Sequence, residues 1–161
     1  MFADYPLTGV GIGNYPDAYP QYYITIFVTS LGHAHNYYIN IAAETGLLGL
    51  VAFFLFVLAL FVAGGRAYRA INKRYMELKA QRAKPQAGVP EREVRTIATR
   101  LALLTNDRAL AVGLLAALLS VCVHNLVDDL YVHSITLLFA LLLIALIRLD
   151  GVMSHVGQYG G

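Results

Sequence analysis

The amino-acid sequence reads as an all-α, polytopic helical membrane protein with about three transmembrane helices. Apolar residues, Tyr and Cys included, make up 58% of the 161 residues and charged residues 14%, where soluble domains carry roughly 25% charge. Mean hydropathy is +0.58. Uncharged runs long enough to cross a bilayer recur, and nearly all cations gather in one segment between them. The apolar content excludes disorder, the single cysteine, Cys122, excludes an internal disulfide framework, and a net charge of +2 gives no case for nucleic acid.

The first element, residues 1–45, reads as an extracytoplasmic segment. It contains Asp4, Asp17 and Glu44 but no Lys or Arg, and seven of the eleven tyrosines. Tyrosine collects at membrane interfaces because its ring is apolar and its hydroxyl stays wet; it also stacks on sugar faces. Gly9-Val10-Gly11-Ile12-Gly13 invites a phosphate-loop reading. No strand signal precedes it, no Gly-Lys-Ser/Thr follows it, and no acidic residue stands at the dinucleotide spacing. What remains is a glycine-rich turn after Tyr5-Pro6-Leu7-Thr8. The N-terminus lacks a basic stretch followed by an apolar core and is not a signal peptide. Translocation of residues 1–45 therefore calls for a reverse anchor at 46–65 or for spans ahead of Met1.

Residues 46–65 form twenty positions without a charge, about 30 Å as a helix, which matches a hydrocarbon core. Residues 66–108 hold eleven of the twelve Lys and Arg residues and a net charge of +7, against −3 before and −2 after. The positive-inside bias makes this segment a cytoplasmic loop. Arg66 to Ala83 carries good helix formers, and the Pro85–Pro90 stretch breaks them. From Glu91, Val94, Ile97, Ala98, Leu101 and Leu104 fall at helical spacing and suit an interfacial helix, with Thr105-Asn106-Asp107 capping the next span. Residues 109–149 read as a helical hairpin turning at Asp128-Asp129, because two carboxylates at mid-membrane are expensive. Residues 150–161 are a cytoplasmic tail.

Two polar sets carry candidate chemistry. His33, His35 and Asn36 stand at the mouth of the first span, with Glu44 shortly after. A histidine there titrates near neutrality and can accept a proton from a hydroxyl nucleophile, and Glu44 could orient it or hold an acceptor. A polar helix start explains the same residues. Gly46 and Gly49 would let a neighbouring helix pack closely. On the hairpin, Ser120, His124 and Asp128 recur every four residues, with Asn125 and Asp129 beside them and His133 beyond. His124 and Asp128 could bind acceptor sugar or support His35; polar contacts between helices are the simpler use. The outer histidines and carboxylates also leave a metal-handling membrane protein conceivable, although the spacings form no recognised ligand set.

His35, Asn36, nine residues, Gly46, two residues and Gly49 resemble the His-[Asn/Ser/Gln]-x9-Gly-x-x-[Gly/Thr/Tyr] pattern of the O-antigen ligases. Tyr5 to Tyr15 is similar to the Pro-Leu-x-Gly-x-Gly-x-Gly stretch that these proteins and the related O-antigen polymerases carry in a large periplasmic loop. His124 to Asp128 is similar to their His-x-x-x-Asp near the outer end of a late span. The resemblance runs over the whole chain but only over the C-terminal part of the family's architecture.

That resemblance implies a GT-C-type membrane glycosyltransferase in the cytoplasmic (inner) membrane, working in cell-surface polysaccharide biosynthesis with its active side extracytoplasmic. A glycan on undecaprenyl diphosphate is transferred to a hydroxyl of lipid A-core or of another glycan. His35 would be the general base; Asn36, Glu44, His33, His124 and Asp128 would bind substrate, with no cofactor and no metal. The family's catalytic arginines have no counterpart in residues 1–65, which hold no cation, while a departing diphosphate needs cations or preorganised donors. The expectation is a fragment inactive by itself, or a non-catalytic subunit beside another polypeptide.

Overall fold

A computed structural model of the chain describes residues 1–23, 32–84, 88–127 and 144. Among them every regular element is helical: α1 (Tyr15–Ala18), a 3₁₀ turn (Tyr19–Gln21), α2 (Tyr37–Arg82) and α3 (Glu91–His124). α2 and α3 are both long and apolar enough to cross a membrane. The third expected span, the Asp128-Asp129 turn, His133 and the C-terminal tail lie outside the described residues.

α2 runs further in both directions than the uncharged segment 46–65. It starts at Tyr37, where Asn36 caps it, and continues through the helix-forming stretch to Arg82, just ahead of Pro85. Its 46 residues are more than twice the ~20 that a hydrocarbon core accommodates, so part of it lies in water. α3 opens after Pro90, whose carbonyl accepts the Glu93 and Val94 N–H groups (2.9 and 3.3 Å). Glu91 and Glu93 place negative charge on its first turn, where the helix dipole favours it.

The expected break before the second span is absent. α3 passes through residues 105–107 without interruption, and the Thr105 hydroxyl donates to Leu101 O (2.8 Å) instead of capping a new helix. Thr can bond back to the preceding turn in this way and remain helical. Extending a helix already formed is also cheaper than starting another. The stretch from Glu91 is therefore the first part of one helix and not a separate interfacial one.

The chain divides into two units. In the first, residues 1–23 and 32–59 combine with the end of α3 from Leu118. Large apolar side chains of α2, among them Leu48, Phe54, Leu55 and Leu58, remain exposed. A soluble core helix would bury them; acyl chains cover such a surface at no cost. In the second unit, residues 60–84 and 88–117, Leu60, Ala67 and Ile71 of α2 are buried, as are Ile97, Leu101, Ala111 and Leu114 of α3. The three-and-four spacing from Leu60 through Gly64 and Ala67 to Ile71 is a narrow seam of the coiled-coil kind. Arg108 holds its guanidinium over the Tyr75 ring at 4.4 Å, a cation–π contact that ties the two helices in this unit.

Candidate functional site

The first unit is organised around a break in α2. Gly46 has φ 65° and ψ −161°, a conformation that glycine enters without penalty. The break removes two helical hydrogen bonds, those from Leu47 N–H to Ala43 O and from Leu48 N–H to Glu44 O. The N-terminal loop replaces all four partners. Val10 N–H donates to Ala43 O and Gly11 N–H to Glu44 O, both at 2.9 Å, while Leu47 N–H donates to Pro6 O (2.8 Å) and Leu48 N–H to Leu7 O (3.3 Å). Buried backbone groups must find partners, and here a loop is spliced into the helix to supply them.

Two glycines permit that approach. A Cβ at Gly9, whose φ is 66°, would overlap the Glu44 carbonyl, and a Cβ at Gly46 would overlap that of Leu7. Gly49 serves its own helix instead, since a Cβ there would collide with the Thr45 side chain one turn earlier. The expectation that Gly46 and Gly49 admit a neighbouring helix is thus corrected. Gly46 meets the 7–8 backbone, and Gly49 makes room for Thr45.

Glu44 extends the splice to the tyrosine-rich segment. Its Oε1 accepts the Tyr15 N–H (3.2 Å) at the start of α1, and Asn14 Nδ2 donates to Val10 O (3.1 Å). Burial, then the neighbouring Tyr19, raises the Tyr15 phenol above its ordinary pKa. Tyr22 is raised chiefly because its hydroxyl donates to the Asp4 carboxylate. An apolar cleft of about 400 Å³ lies among Phe2, Tyr15, Tyr19, Tyr22, Ile39 and Ala43.

The histidines sit at the other end of the same stretch. His35 has φ 48°, the one positive φ outside glycine among the described residues, a conformation that a side-chain-bearing residue holds only when its surroundings dictate it. Its N–H donates to His33 Nδ1 (3.3 Å), and the two rings meet edge to face at 4.6 Å. With Nδ1 accepting, neutral His33 carries its proton on Nε2. The His35 ring itself is exposed.

Asn36 fixes that geometry from the following position. Its Oδ1 accepts the Ile39 N–H (3.0 Å), an N-cap bond, and its Nδ2 donates to Leu126 O (2.8 Å). Tyr37 N–H donates to Asn125 O (3.1 Å) and the Tyr38 hydroxyl to Cys122 O (2.7 Å). Three bonds thus stitch the start of α2 to the end of α3. They bring His124, exposed in the last turn of α3, to the same end of the unit as His35. Asp128 lies outside the described residues. An apolar cleft of about 480 Å³ opens beside Asn36, between Tyr38, Ile39, Phe54, Cys122 and Leu126.

Sequence reasoning missed Tyr38 as a strut and Asn125, 1% exposed, as an anchor; the only sequence signal was their placement beside candidate histidines. Among the described residues no group of three or more His, Cys, Asp or Glu side chains could hold a metal.

Residues 1–54 match the family model described as O-Antigen ligase. No curated protein and no solved structure matches the chain. The matched stretch contains the whole splice, both histidines, Asn36, Glu44 and both motif glycines.

Proposed function

We propose that the chain is an O-antigen ligase-like membrane glycosyltransferase component of the cytoplasmic membrane, with His35 as general base on the extracytoplasmic side. The family match over residues 1–54 carries this reading, and the structure gives several residues of the matched stretch definite structural roles. Gly9 and Gly46 build the splice, Asn36 caps the helix that follows His35, and the imidazole is left open to solvent.

In this reading His35 takes the proton of an acceptor hydroxyl, on lipid A-core or on another glycan. The hydroxyl oxygen bonds to the anomeric carbon of the donor sugar, and the bond from that carbon to undecaprenyl diphosphate breaks. A base in this role contributes about 10²–10⁴-fold. His33, backing His35, and His124 at the same end of the unit are the nearest candidates for holding acceptor sugar, with Asp128 as a further one. Glu44, a further substrate-binding candidate, accepts the Tyr15 N–H at the start of α1. Residues 1–65 hold no Lys or Arg, so the cations that stabilise the departing diphosphate come from elsewhere. That same lack of cations favours the second reading, a membrane subunit that completes its site with another polypeptide.

Transfer of labelled glycan from undecaprenyl diphosphate, measured in membranes that carry the chain with its natural partners, tests the proposal. His35→Ala is expected to reduce transfer at least 100-fold at equal protein level. Undiminished transfer by that variant would overturn the role of His35. The purified 161-residue chain is expected to be inactive by itself, and co-purification of a second membrane polypeptide whose addition restores transfer supports the subunit arrangement.

A further inference from the structure

The loop that carries His35 into α2 is tied down at three consecutive residues. Ala34 N–H donates to Asn40 Oδ1 (3.3 Å), His35 N–H donates to His33 Nδ1 (3.3 Å), and Asn36 Oδ1 accepts the Ile39 N–H (3.0 Å). Two of these acceptors are amide oxygens, which do not titrate. The third is an imidazole nitrogen, and it accepts only while His33 is neutral, because a protonated imidazole donates from both nitrogens.

That bond falls where the backbone needs it. His35 sits at φ 48°, in the left-handed region that a residue with a Cβ holds only when neighbouring groups keep it there. A histidine Nδ1 is bonded to Cγ as the Oδ1 of asparagine is, and an acceptor there that takes the N–H two residues on closes an Asx-type turn. The His33 ring also meets the His35 ring edge to face at 4.6 Å, so the main chain and the ring of His35 both bear on one side chain. A proton on His33 would remove the acceptor and set a like charge against the imidazolium that His35 becomes on taking a proton. We infer that neutral His33 is a positioning residue for His35, its Nδ1 holding the turn that presents the base. This rests on His35 as the general base. The other titratable groups at this end of the unit are the phenols of Tyr37 and Tyr38 on α2, with Cys122 and His124 on α3. Glu44 stands two turns further along α2, where its Oε1 accepts the Tyr15 N–H.

Transfer of labelled glycan in membranes that carry the chain with its natural partners tests this, measured as kcat and KM across pH for His33→Ala and His33→Asn. A base misplaced by about 1 Å costs on the order of 100-fold, so His33→Ala should lose about that factor in kcat with KM little changed. His33→Asn, which keeps an acceptor in the same place, should restore kcat above neutrality. On the acid side kcat/KM should fall with two protonations in the wild type and with one in His33→Asn. A loss confined to KM, His33→Asn no better than His33→Ala, or one acid limb shared by His33→Asn and the wild type would overturn the inference. A measurement without turnover separates the turn from the chemistry. In His35→Gln, where position 35 no longer titrates, the ¹⁵N resonance of the residue-35 amide in the full chain should move as His33 is protonated, and it should stay fixed in His33→Asn/His35→Gln. An amide that ignores His33 would overturn the bond itself. A moving amide together with undiminished transfer by His35→Ala would instead overturn the base on which the inference rests.

Discussion

At the scale of single residues, the site depends on positions where a side chain is either forbidden or fully committed. Gly9 combines a positive φ with a backbone contact that leaves no room for a methyl group. Gly9→Ala should destabilise the first unit by about 2–4 kcal/mol, through backbone strain and the loss of loop bonds, read as a shifted unfolding midpoint in detergent denaturation. Asn36 is committed at both ends of its amide. Asn36→Ala should cost about 1 kcal/mol from the lost cap and also free the Leu126 carbonyl, whereas Asn36→Ser keeps a capping oxygen and loses only the second bond. If Asn36→Ser and Asn36→Ala are equally unstable, the bond to Leu126 and not the cap dominates. Tyr22 offers a test by pH. Its phenol is raised by the Asp4 contact, so the contact is intact below the ordinary value of about 10 and is lost as pH climbs through the raised value. In a ¹³C-tyrosine titration Tyr22 should ionise at higher pH in the wild type than in Asp4→Asn, and an unchanged Tyr22 transition in that variant would refute the contact.

At the scale of elements, the break in α2 is a trade in which two helical bonds give way to four bonds with a loop. Gly46→Ala should reverse that trade, because alanine favours continuing the helix and cannot take the observed φ without strain. Leu47 and Leu48 would then bond Ala43 and Glu44, and residues 5–11 would be expelled. Amide hydrogen exchange checks this: protection at Val10 and Gly11 should vanish in Gly46→Ala while that at Leu47 and Leu48 persists. Helical signal without loss of protection at Val10 would refute the splice as a cooperative unit. The same element shows why the sequence was only partly readable. The charge-free runs and the basic segment announce α2 and α3 through composition alone, and Asn36 announces a helix start. The roles of Gly46 and Gly49 were not legible, because the partner of Gly46 is Leu7, far away in sequence, and that of Gly49 is Thr45, displaced only once the helix breaks. Thr105-Asn106-Asp107 misled for the opposite reason: capping residues look alike whether they cap or bond back within a helix already under way.

At the scale of the whole molecule, charge distribution sets the orientation on which the proposed chemistry depends. The +7 of residues 66–108 faces −3 in residues 1–65 and −2 beyond Arg108, and each Lys or Arg near an anionic leaflet contributes about 1 kcal/mol toward staying there. Even after generous screening, that asymmetry outweighs the small opposing preference of three carboxylates, which contribute little to topology. The proposed function therefore requires residues 1–45, the splice and His35 on the side opposite the basic segment, where a lipid-linked glycan is delivered. Single cysteines in a Cys122→Ser background test this directly, because Asn14 and Gln81 are both exposed and lie in the two segments to be distinguished. A membrane-impermeant maleimide applied to intact cells should label Asn14→Cys and spare Gln81→Cys, which should react only after the membrane is opened. Labelling of Gln81→Cys in intact cells would place the basic segment outside and remove His35 from the compartment that its proposed substrate requires.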